Sequence, residues 1–446
     1  MIKLMKKIII TISLILLVSL SLVIYFAKVK AKLQADTITP VKIEVQAEVK
    51  SEIKNRLENF DQNISFDDNA NIKITTFDND WPTDWQSDII YAQNLDLMPI
   101  GLGKFFQGEI PDSDLILYLA SDSTANSQKL MDYLKTSFVQ NKPKSIKLTT
   151  VGDIMLSRDV DTKMDKTSRI YPFEQTLDLT KNADFTFGNL ESPFREGNSL
   201  VQPMIFGAEK TSIQGLIAAG FDALNLANNH FGNQGQTGMM TTFDFLNQNK
   251  IDYFGAGKNS IESHKPLIKE INGLKIAFLG YADTSVTPDS YLASVQRAGT
   301  NAMDLNDLKT DLAKAKKQAD LVIVSMHAGY EYTPYANDKQ IEFAHTAIDN
   351  GADLVIGHHP HVVQGLEFYK GKFIDYSLGN FIFDQPWSTE TEQGLVANFT
   401  LTLGKITGIE LVPVHIYNAC QPKIVTDQTE FESIFSRIFA SSEKLR

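Results

Sequence analysis

The sequence predicts an α/β fold of layered mixed sheets flanked by helices, preceded by a small α/β region and an N-terminal transmembrane helix. From residue 146 onwards, short apolar runs alternate with helical patterns, which is typical of α/β layering. Most of these runs are nearly continuous in apolar residues, as expected for strands that are covered on both faces. A chain of 446 residues also exceeds the ~300 residues at which a single core stops growing. We therefore expect more than one domain.

An uncharged apolar run occupies residues 8–27, after a short N-terminal tail of residues 1–7. Its length matches the ~20 residues that a bilayer-spanning helix requires, so we predict a single-pass anchor in the cell membrane. The alternative is a cleaved signal peptide, whose apolar core is usually ~7 to 15 residues long. Lys28, Lys30 and Lys32 stand where its small-residue cleavage site would be expected.

The orientation of this anchor does not follow from charge, because lysines flank both ends of the run. A short N-terminal tail inside the cell is the commoner arrangement for such an anchor. We therefore expect the bulk of the chain to be extracytoplasmic.

Three further segments follow the anchor. Residues 38–140 alternate strand-like and helix-like pieces without a dense motif, and predict a small α/β region of unknown role. Residues 141–145 have the Pro, Lys and Ser content of a linker. The main domain is predicted at residues 146–425, followed by a C-terminal helical tail at residues 426–446. The last apolar runs of the main domain alternate like antiparallel strands, so at least one sheet is expected to be mixed.

Charge and cysteine content exclude several classes of function. Residues 1–32 carry six lysines and no acid, which leaves 36 Lys and Arg against 54 Asp and Glu in the remainder. Such a negative field disfavours binding to nucleic acid, and no nucleic-acid partner is predicted. An anionic substrate would need a local positive centre, which a metal ion can supply. Cys420 is the only cysteine, which excludes an internal disulfide and a cysteine-ligated zinc site.

Polar residues recur at the carboxyl ends of the apolar runs, where open α/β sheets place their ligands. The residues at five such ends are Asp153; Asn189 and Glu191; Asn228, Asn229 and His230; His327; and His358, His359 and His361. Each end alone has a structural alternative, such as a helix cap, a surface carboxylate or an Asn-rich turn. Together they predict a metal site, because three of the eight histidines fall within one short stretch.

The ligand chemistry narrows the choice of metal. Pro360 keeps the preceding residue out of helical conformation and the segment extended or turned. In an extended segment, His359 and His361 would face the same side. Carboxylate, amide and imidazole ligands without thiolate suit Mn²⁺, Fe, Co²⁺ or Zn²⁺ better than Ca²⁺. One or two divalent ions are expected, and two would clamp an anionic transition state in phosphoester hydrolysis. His264, His345 and His415 lack such neighbours and are predicted to be non-catalytic.

Six motifs follow one another along the chain: VGDIML, GNLESP, NLANNH, SMHAGYEY, GHHPHVVQG and DYSLGNFIFD. Their order resembles that of the CapA family of capsule and poly-γ-glutamate synthesis proteins. The domain of that family is similar to calcineurin-type metallophosphoesterases, and the resemblance covers about residues 147–384. Here Asp153 is followed by Ile154 and Met155 instead of the Asp-x-His of those enzymes, and Glu191 replaces their bridging aspartate.

The resemblance implies roles for particular residues. The implied metal ligands are Asp153, Glu191, Asn229, His327, His359 and His361. His230 would donate a proton to the leaving group. The residues expected to support the ligands or contact substrate are Asn189, Asn228, Glu331, His358 and Asn380. His358 is expected either to be a ligand itself or to orient one. Arg158 is a candidate anion contact.

We therefore expect a membrane-anchored, extracytoplasmic protein of capsule or poly-γ-glutamate synthesis or export, with a metal-dependent hydrolase-like domain. Its expected partners are the membrane, other capsule-synthesis proteins, and poly-γ-glutamate or another anionic surface polymer. Two alternatives stay open: a general cell-surface metallophosphatase or phosphodiesterase, and a non-catalytic component that binds or exports polymer.

Overall fold

A computed structural model describes residues 72–77, 89–90, 100–101, 115–120, 145–197, 199–402 and 404–445. The predicted anchor at residues 8–27 and most of the region 38–140 lie outside these residues. Within the described part of the chain, no helix combines the length and the apolar character needed to cross a membrane.

The strands of the described residues are numbered in chain order. They are β1 Ile72–Phe77, β2 Ile89–Ile90, β3 Ile100–Gly101, β4 Leu115–Ala120, β5 Ile146–Ile154, β6 Phe185–Leu190, β7 Ala223–Asn225, β8 Asp252–Phe254, β9 Ala256–Gly257, β10 Leu267–Ile271, β11 Leu274–Ala282, β12 Gly299–Thr300, β13 Leu321–His327, β14 Leu354–His358, β15 Leu366–Tyr369, β16 Lys372–Asp375, β17 Asn380–Ile382, β18 Gln393–Thr402, β19 Lys405–Tyr417 and β20 Gln421–Ile424. The α-helices are α1 Arg158–Lys166, α2 Leu177–Lys181, α3 Ile213–Ala218, α4 Gly235–Gln248, α5 Ser260–Ser263, α6 Leu305–Ala315, α7 Asp338–Asp349 and α8 Gln428–Ser442.

Two large mixed sheets dominate this architecture. The larger has the strand order β2-β3-β19-β18-β5-β6-β7-β8, with β17 paired to β5 and β20 to β19. The smaller has the order β10-β11-β13-β14-β16-β15. Strands β5 to β8 are parallel, whereas β18 runs antiparallel to β5. In the smaller sheet the inner strands are parallel and the edge strands β10 and β15 are antiparallel. The predicted layered α/β fold with mixed sheets is confirmed.

An apolar core joins the two sheets face to face. Phe187 of the larger sheet packs against Phe278 of the smaller one, with ring centroids 5.4 Å apart, and Phe185 stacks on Phe278 at 5.0 Å. Helix α8 adds Phe431 and Phe435 to the same core. Because both inner faces are covered, these strands read as nearly continuous apolar runs in the sequence.

Helices cover the outer faces of both sheets. Helix α4 packs on the larger sheet through residues such as Phe243, and helix α7 packs on the smaller one through Phe343. Asn337 begins α7 with a capping box, in which its side chain accepts from the amide of Gln340. Gly351, which follows the helix, has a φ of 103°, a conformation that favours glycine. The result is a four-layer arrangement of helices, sheet, sheet and helices.

The carboxyl ends of the parallel strands lie in register. His327 at the end of β13 is paired with His358 at the end of β14. Asp153 of β5 is paired with Asn189 on one side and with Asn380 on the other. This register brings the predicted polar residues to the edges of the two sheets, as expected for ligand-binding α/β proteins.

Gly152 allows two backbones to approach closely inside the larger sheet. A Cβ atom at this position would lie 2.0 Å from the carbonyl oxygen of Gly379, which no side chain tolerates. The next amide, of Asp153, donates to that oxygen at 3.0 Å. Gly152 lies within strand β5, so its role is close packing that positions Asp153.

The pair formed by His264 and Asp311, away from the polar strand ends, predicts that the stability of the fold depends on pH. His264 Nδ1 lies 2.6 Å from Asp311 Oδ2, and this hydrogen bond raises the pKa of His264 above the usual 6.5. Because the folded pKa is the higher one, the stabilisation is complete below about pH 6.5 and is lost as the pH rises through the folded pKa. We expect His264→Gln to lower the free energy of unfolding at pH 5.5, by on the order of 1 kcal/mol because the pair is partly exposed.

Urea denaturation at several pH values checks this expectation. The difference in the free energy of unfolding between the wild type and His264→Gln should become smaller towards pH 9. A difference that is constant over this range would contradict the proposed linkage.

Candidate metal centre

Asp153 lies at the centre of the polar strand ends and is fully buried. Its Oδ1 lies 3.4 Å from His358 Nδ1, and its Oδ2 lies 3.4 Å from His361 Nδ1. The backbone amide of His359 donates to Oδ2 at 3.2 Å. Burial raises the pKa of Asp153, but the two neighbouring imidazoles hold it well below its usual range. Asp153 is therefore an ionised carboxylate whose two oxygens face different histidines.

A network of asparagines supports this carboxylate. Asn189 Nδ2 donates to Asp153 Oδ1 at 2.8 Å and lies 3.2 Å from His327 Nδ1. Asn189 Oδ1 accepts from Asn228 at 3.3 Å and from Asn225 at 3.0 Å. Asn189 and Asn228 thus lie in the predicted supporting positions. Asn225 was not predicted, although it is the last residue of strand β7 and therefore also lies at a strand end.

One group of candidate ligands consists of Asp153, Glu191 and His327, whose ligand atoms all lie within 4.8 Å of one another. Glu191 Oε2 is buried and has no hydrogen-bond partner. Burial first, and then the charges of Asp153 and Glu331, raise the pKa of Glu191 well above its usual value. Burial also holds the pKa of His327 well below its usual value, so this ring is neutral, as metal ligation requires.

Asn229 joins the first group through His327. Its Oδ1 lies 2.9 Å from His327 Nε2. Asn189 Nδ2 lies 3.2 Å from Nδ1 of the same ring, so the two ring nitrogens of His327 face the side-chain amides of Asn189 and Asn229. The predicted ligands Asp153, Glu191, Asn229 and His327 are therefore brought together.

A second group consists of Glu331, His359 and His361, again with ligand atoms within 4.8 Å of one another. His359 Nδ1 is buried without a hydrogen-bond partner, and burial lowers the pKa of His359 to about 3. His361 Nδ1 lies 2.9 Å from Asn380 Oδ1, which leaves Nε2 of His361 as its free nitrogen. Asn380 therefore orients the ring of His361, which is a predicted ligand.

The segment that carries these histidines is turned. His359 has a φ of 99° and His361 a φ of 58°, so both adopt a left-handed conformation that L-residues rarely enter. Their ring centroids lie 6.0 Å apart. The two imidazoles therefore approach one another through a strained bend, and the alternation of an extended strand does not apply here. Strain of this kind is concentrated at functional sites.

His230 lies beside the ligand groups and belongs to neither of them. Its Nδ1 lies 3.0 Å from Asn233 Oδ1, and its ring stacks on Phe206 with centroids 3.9 Å apart. Since the amide oxygen only accepts, Nδ1 carries the proton and Nε2 is free. Burial lowers the pKa of His230 to about 4, so the ring is neutral at physiological pH. Asn233 was not predicted, although it follows His230 closely in the same glycine-containing loop.

Arg158 and two aromatic residues form the surroundings of this centre. The Arg158 guanidinium pairs with Asp384 and lies over the Phe206 ring, 4.6 Å from its centroid. The predicted anion contact therefore has a carboxylate partner of its own. Tyr332, whose ring lies 6.1 Å from that of His361, and Trp387 are both exposed.

The histidines predicted to be non-catalytic lie outside both ligand groups. Each pairs with a carboxylate: His264 with Asp311 at 2.6 Å, His345 with Glu367 at 2.8 Å and His415 with Glu430 at 2.6 Å.

The residues of both groups fit divalent cations. Among the described residues, the buried side-chain atoms without a hydrogen-bond partner include Glu191 Oε2, His359 Nδ1 and both ring nitrogens of His358. Buried polar atoms are normally paired, and a bound cation would supply a partner for the atoms that belong to the two groups. The donors are oxygen and nitrogen without thiolate, which suits Mn²⁺, Fe, Co²⁺ or Zn²⁺.

Fold and site together define a two-sheet α/β protein with a candidate metal centre where the strand ends meet. The family model described as bacterial capsule synthesis protein PGA_cap matches residues 147–385. The chain belongs to this family, which confirms the family expected from the six motifs.

Curated relatives and a solved structure show the extent of the similarity. The capsule biosynthesis protein CapA of Bacillus anthracis is 32% identical over 306 residues, covering 67% of this chain and 74% of the relative. The PGA biosynthesis protein CapA of Bacillus subtilis (strain 168) is 31% identical over 296 residues, covering 66% of this chain and 77% of the relative. The calcineurin-like phosphoesterase YfkN from Bacillus subtilis is similar in structure at 15% identity and a TM-score of 0.40, covering 68% of this chain and 99% of that chain.

The ligand assignment predicts that His359→Ala and His361→Ala each weaken metal binding. We expect about a 100-fold loss of affinity for Mn²⁺ or Zn²⁺, because even the outer partners of metal ligands contribute about 10- to 100-fold. Equilibrium dialysis with metal analysis measures this loss. His345→Ala is the matched control, since that ring stacks on Tyr369 at 3.8 Å and should leave metal content unchanged. Unaltered stoichiometry and affinity in both variants would contradict the assignment.

Proposed function

We propose that this chain is a membrane-anchored, extracytoplasmic protein of capsule or poly-γ-glutamate synthesis or export, and that its main domain is a metal-dependent hydrolase. The substrate is an ester or amide of an anionic surface polymer or of its precursor. Family membership supports the link to capsule synthesis, and the apolar run at residues 8–27 supports the anchor.

The observation that carries the hydrolase is the convergence of buried ligand atoms that lack protein partners. Glu191 Oε2 and His359 Nδ1 belong to different groups and neither has a hydrogen bond. A site that only needed to be stable would pair these atoms, because an unpaired buried polar group costs ~1 to 3 kcal/mol. We infer that these atoms bind a cation that takes part in the reaction.

The side chains of the centre have distinct tasks in such a hydrolysis. Bound divalent cations supply Lewis-acid polarisation of the phosphoryl or carbonyl oxygen. Asp153, Glu191, Asn229 and His327 would hold one cation, and His359 and His361 would hold another. Asn189 and Asn380 fix the orientation of the ligands through the hydrogen bonds described above.

His230 handles the proton in this proposal. Asn233 holds its Nδ1–H, and Phe206 fixes the plane of its ring. The free Nε2 is then available for proton transfer. Because the pKa of His230 is about 4 without substrate, the ring must first take up a proton before it donates one to the leaving group. An anionic substrate next to the ring favours this uptake, since a nearby negative charge raises the pKa of an imidazole.

The full chain, purified in detergent and freed of metal by chelation, tests this function. Turnover of a chromogenic phosphodiester, and chain shortening of poly-γ-glutamate, should appear only after addition of Mn²⁺, Zn²⁺ or Co²⁺. Bound metal without turnover of any ester or amide would overturn the hydrolase and favour the polymer-binding alternative. Hydrolysis of phosphodiesters but not of polymer or its precursors would favour the general phosphatase.

The orientation of the predicted anchor in the membrane can be tested separately. Protease added to intact cells should digest the chain beyond about residue 35, shortly after the predicted anchor at residues 8–27. Protection in intact cells, with digestion after lysis, would refute the extracytoplasmic location.

A further inference from the structure

We propose that Glu331 is a metal ligand, which completes the cation site of His359 and His361 beside that of Asp153, Glu191 and His327. This inference deepens the proposed function, on which it rests. The family resemblance places Glu331 on the substrate side and implies no ligand role for it.

Glu331 lies next to the two histidines of the second group. Its carboxylate has an oxygen within 4.8 Å of ligand atoms of both His359 and His361. Among the residues that the structure describes, Glu331 forms no ion pair with a lysine or arginine. The Glu331 carboxylate is therefore placed to share a cation with the two imidazoles.

The buried ring of His359 independently supports a cation at this position. The residue is 2% exposed, and its Nδ1 has no hydrogen-bond partner. Its backbone amide is already anchored on Asp153 Oδ2 at 3.2 Å, so the ring is held in place while its nitrogen is left unpaired. A buried imidazole nitrogen without a partner indicates a missing ligand, because such atoms are otherwise paired.

The loop of Glu331 is tied to the bend that carries the histidines. The amide of Tyr332 donates to the carbonyl of Pro360 at 2.8 Å, and Tyr332 has a φ of 60°. Non-glycine residues rarely adopt this conformation, and the contact with Pro360 helps to maintain it. Glu331, the preceding residue, is thereby held at a defined distance from His359 and His361. A surface carboxylate on a free loop would not be held in this way.

Asp153 connects the two sites. Its Oδ2 lies 3.4 Å from His361 of the second group, and its Oδ1 is held by Asn189, which also contacts His327 of the first group. With Glu331 included, three carboxylates face two cations. Two divalent ions carry four positive charges, so the occupied centre keeps a net positive charge. An anionic group is therefore the class of substrate that this centre would attract, despite the negative charge of the whole chain.

Metal binding to the full chain in detergent tests this proposal, with Mn²⁺ alone as the probe. The wild type should bind two Mn²⁺ ions in equilibrium dialysis, and their spin coupling should be visible by electron paramagnetic resonance. In Glu331→Gln we expect one site to weaken by about 10- to 100-fold and the spin-coupled signal to disappear. Glu342→Gln, an exposed glutamate on α7, is the matched control and should behave as the wild type. Thermal unfolding of the metal-free proteins should show that Glu331→Gln is folded.

The outcomes separate this inference from the proposed function. Two ions bound to Glu331→Gln with unchanged affinity and coupling would overturn the role of Glu331 and leave the metal-dependent hydrolase intact. One ion bound equally by the wild type and by Glu331→Gln would overturn the second site. A wild type that binds no Mn²⁺, Zn²⁺ or Co²⁺ would overturn both.

Discussion

Asp153→Asn is expected to lower the affinity for divalent metal by on the order of 1,000-fold, corresponding to about 4 kcal/mol. Asp153 is fully buried, and its two oxygens face His358 and His361. The substitution removes the negative charge shared by both ligand groups. It also places an amide where Asn189 Nδ2 and the amide of His359 already donate. Isothermal titration with Mn²⁺ or Zn²⁺ measures the loss.

Asp375→Asn is the matched control for this prediction. Asp375 is also fully buried at a strand end, and burial raises its pKa well above the usual value. It lies outside both ligand groups, so its replacement by the neutral amide removes no charge from them. We expect Asp375→Asn to bind metal like the wild type. Equal metal affinities of Asp153→Asn and the wild type would contradict the central role of Asp153.

His230→Ala is expected to lower the turnover number by about 100- to 10,000-fold, the usual contribution of a positioned acid–base group. Metal content should stay unchanged, because His230 belongs to neither ligand group. The fully buried Phe231 beside it makes local repacking the main risk, so thermal unfolding of the variant accompanies the assay. Steady-state kinetics on a chromogenic phosphodiester, together with metal analysis of the same sample, measures both effects.

His415→Ala is the control for His230→Ala, since His415 pairs with Glu430 away from the ligand groups. It should retain both turnover and metal. If His230→Ala lost metal in proportion to activity, His230 would be a ligand, and its assignment as the proton-transfer residue would be wrong. Full activity in His230→Ala would also contradict the assignment.

The location of the site could be predicted because each of its parts is a local feature of the chain. Asp153, His327 and His358 stand directly at the carboxyl ends of apolar runs, and parallel strands bring such ends to one edge. The order of the six motifs was sufficient to predict the family. Asn225 and Asn233 escaped prediction because a single asparagine after a strand resembles a turn residue. Their roles depend on their hydrogen-bond partners in the folded protein, which are Asn189 for Asn225 and His230 for Asn233.

The α/β layering, the polar strand ends and the chemical nature of the ligands can be read from the chain alone, since they follow from the order of residue types. How those residues divide into two groups depends on the packing of segments that are distant in the chain. Packing of Phe187 against Phe278 joins the sheets, and the left-handed bend at His359 and His361 turns their rings towards Glu331. The physical reason is that metal ligation depends on distances of a few ångströms between side chains far apart in the chain, and those distances are set by packing between the sheets.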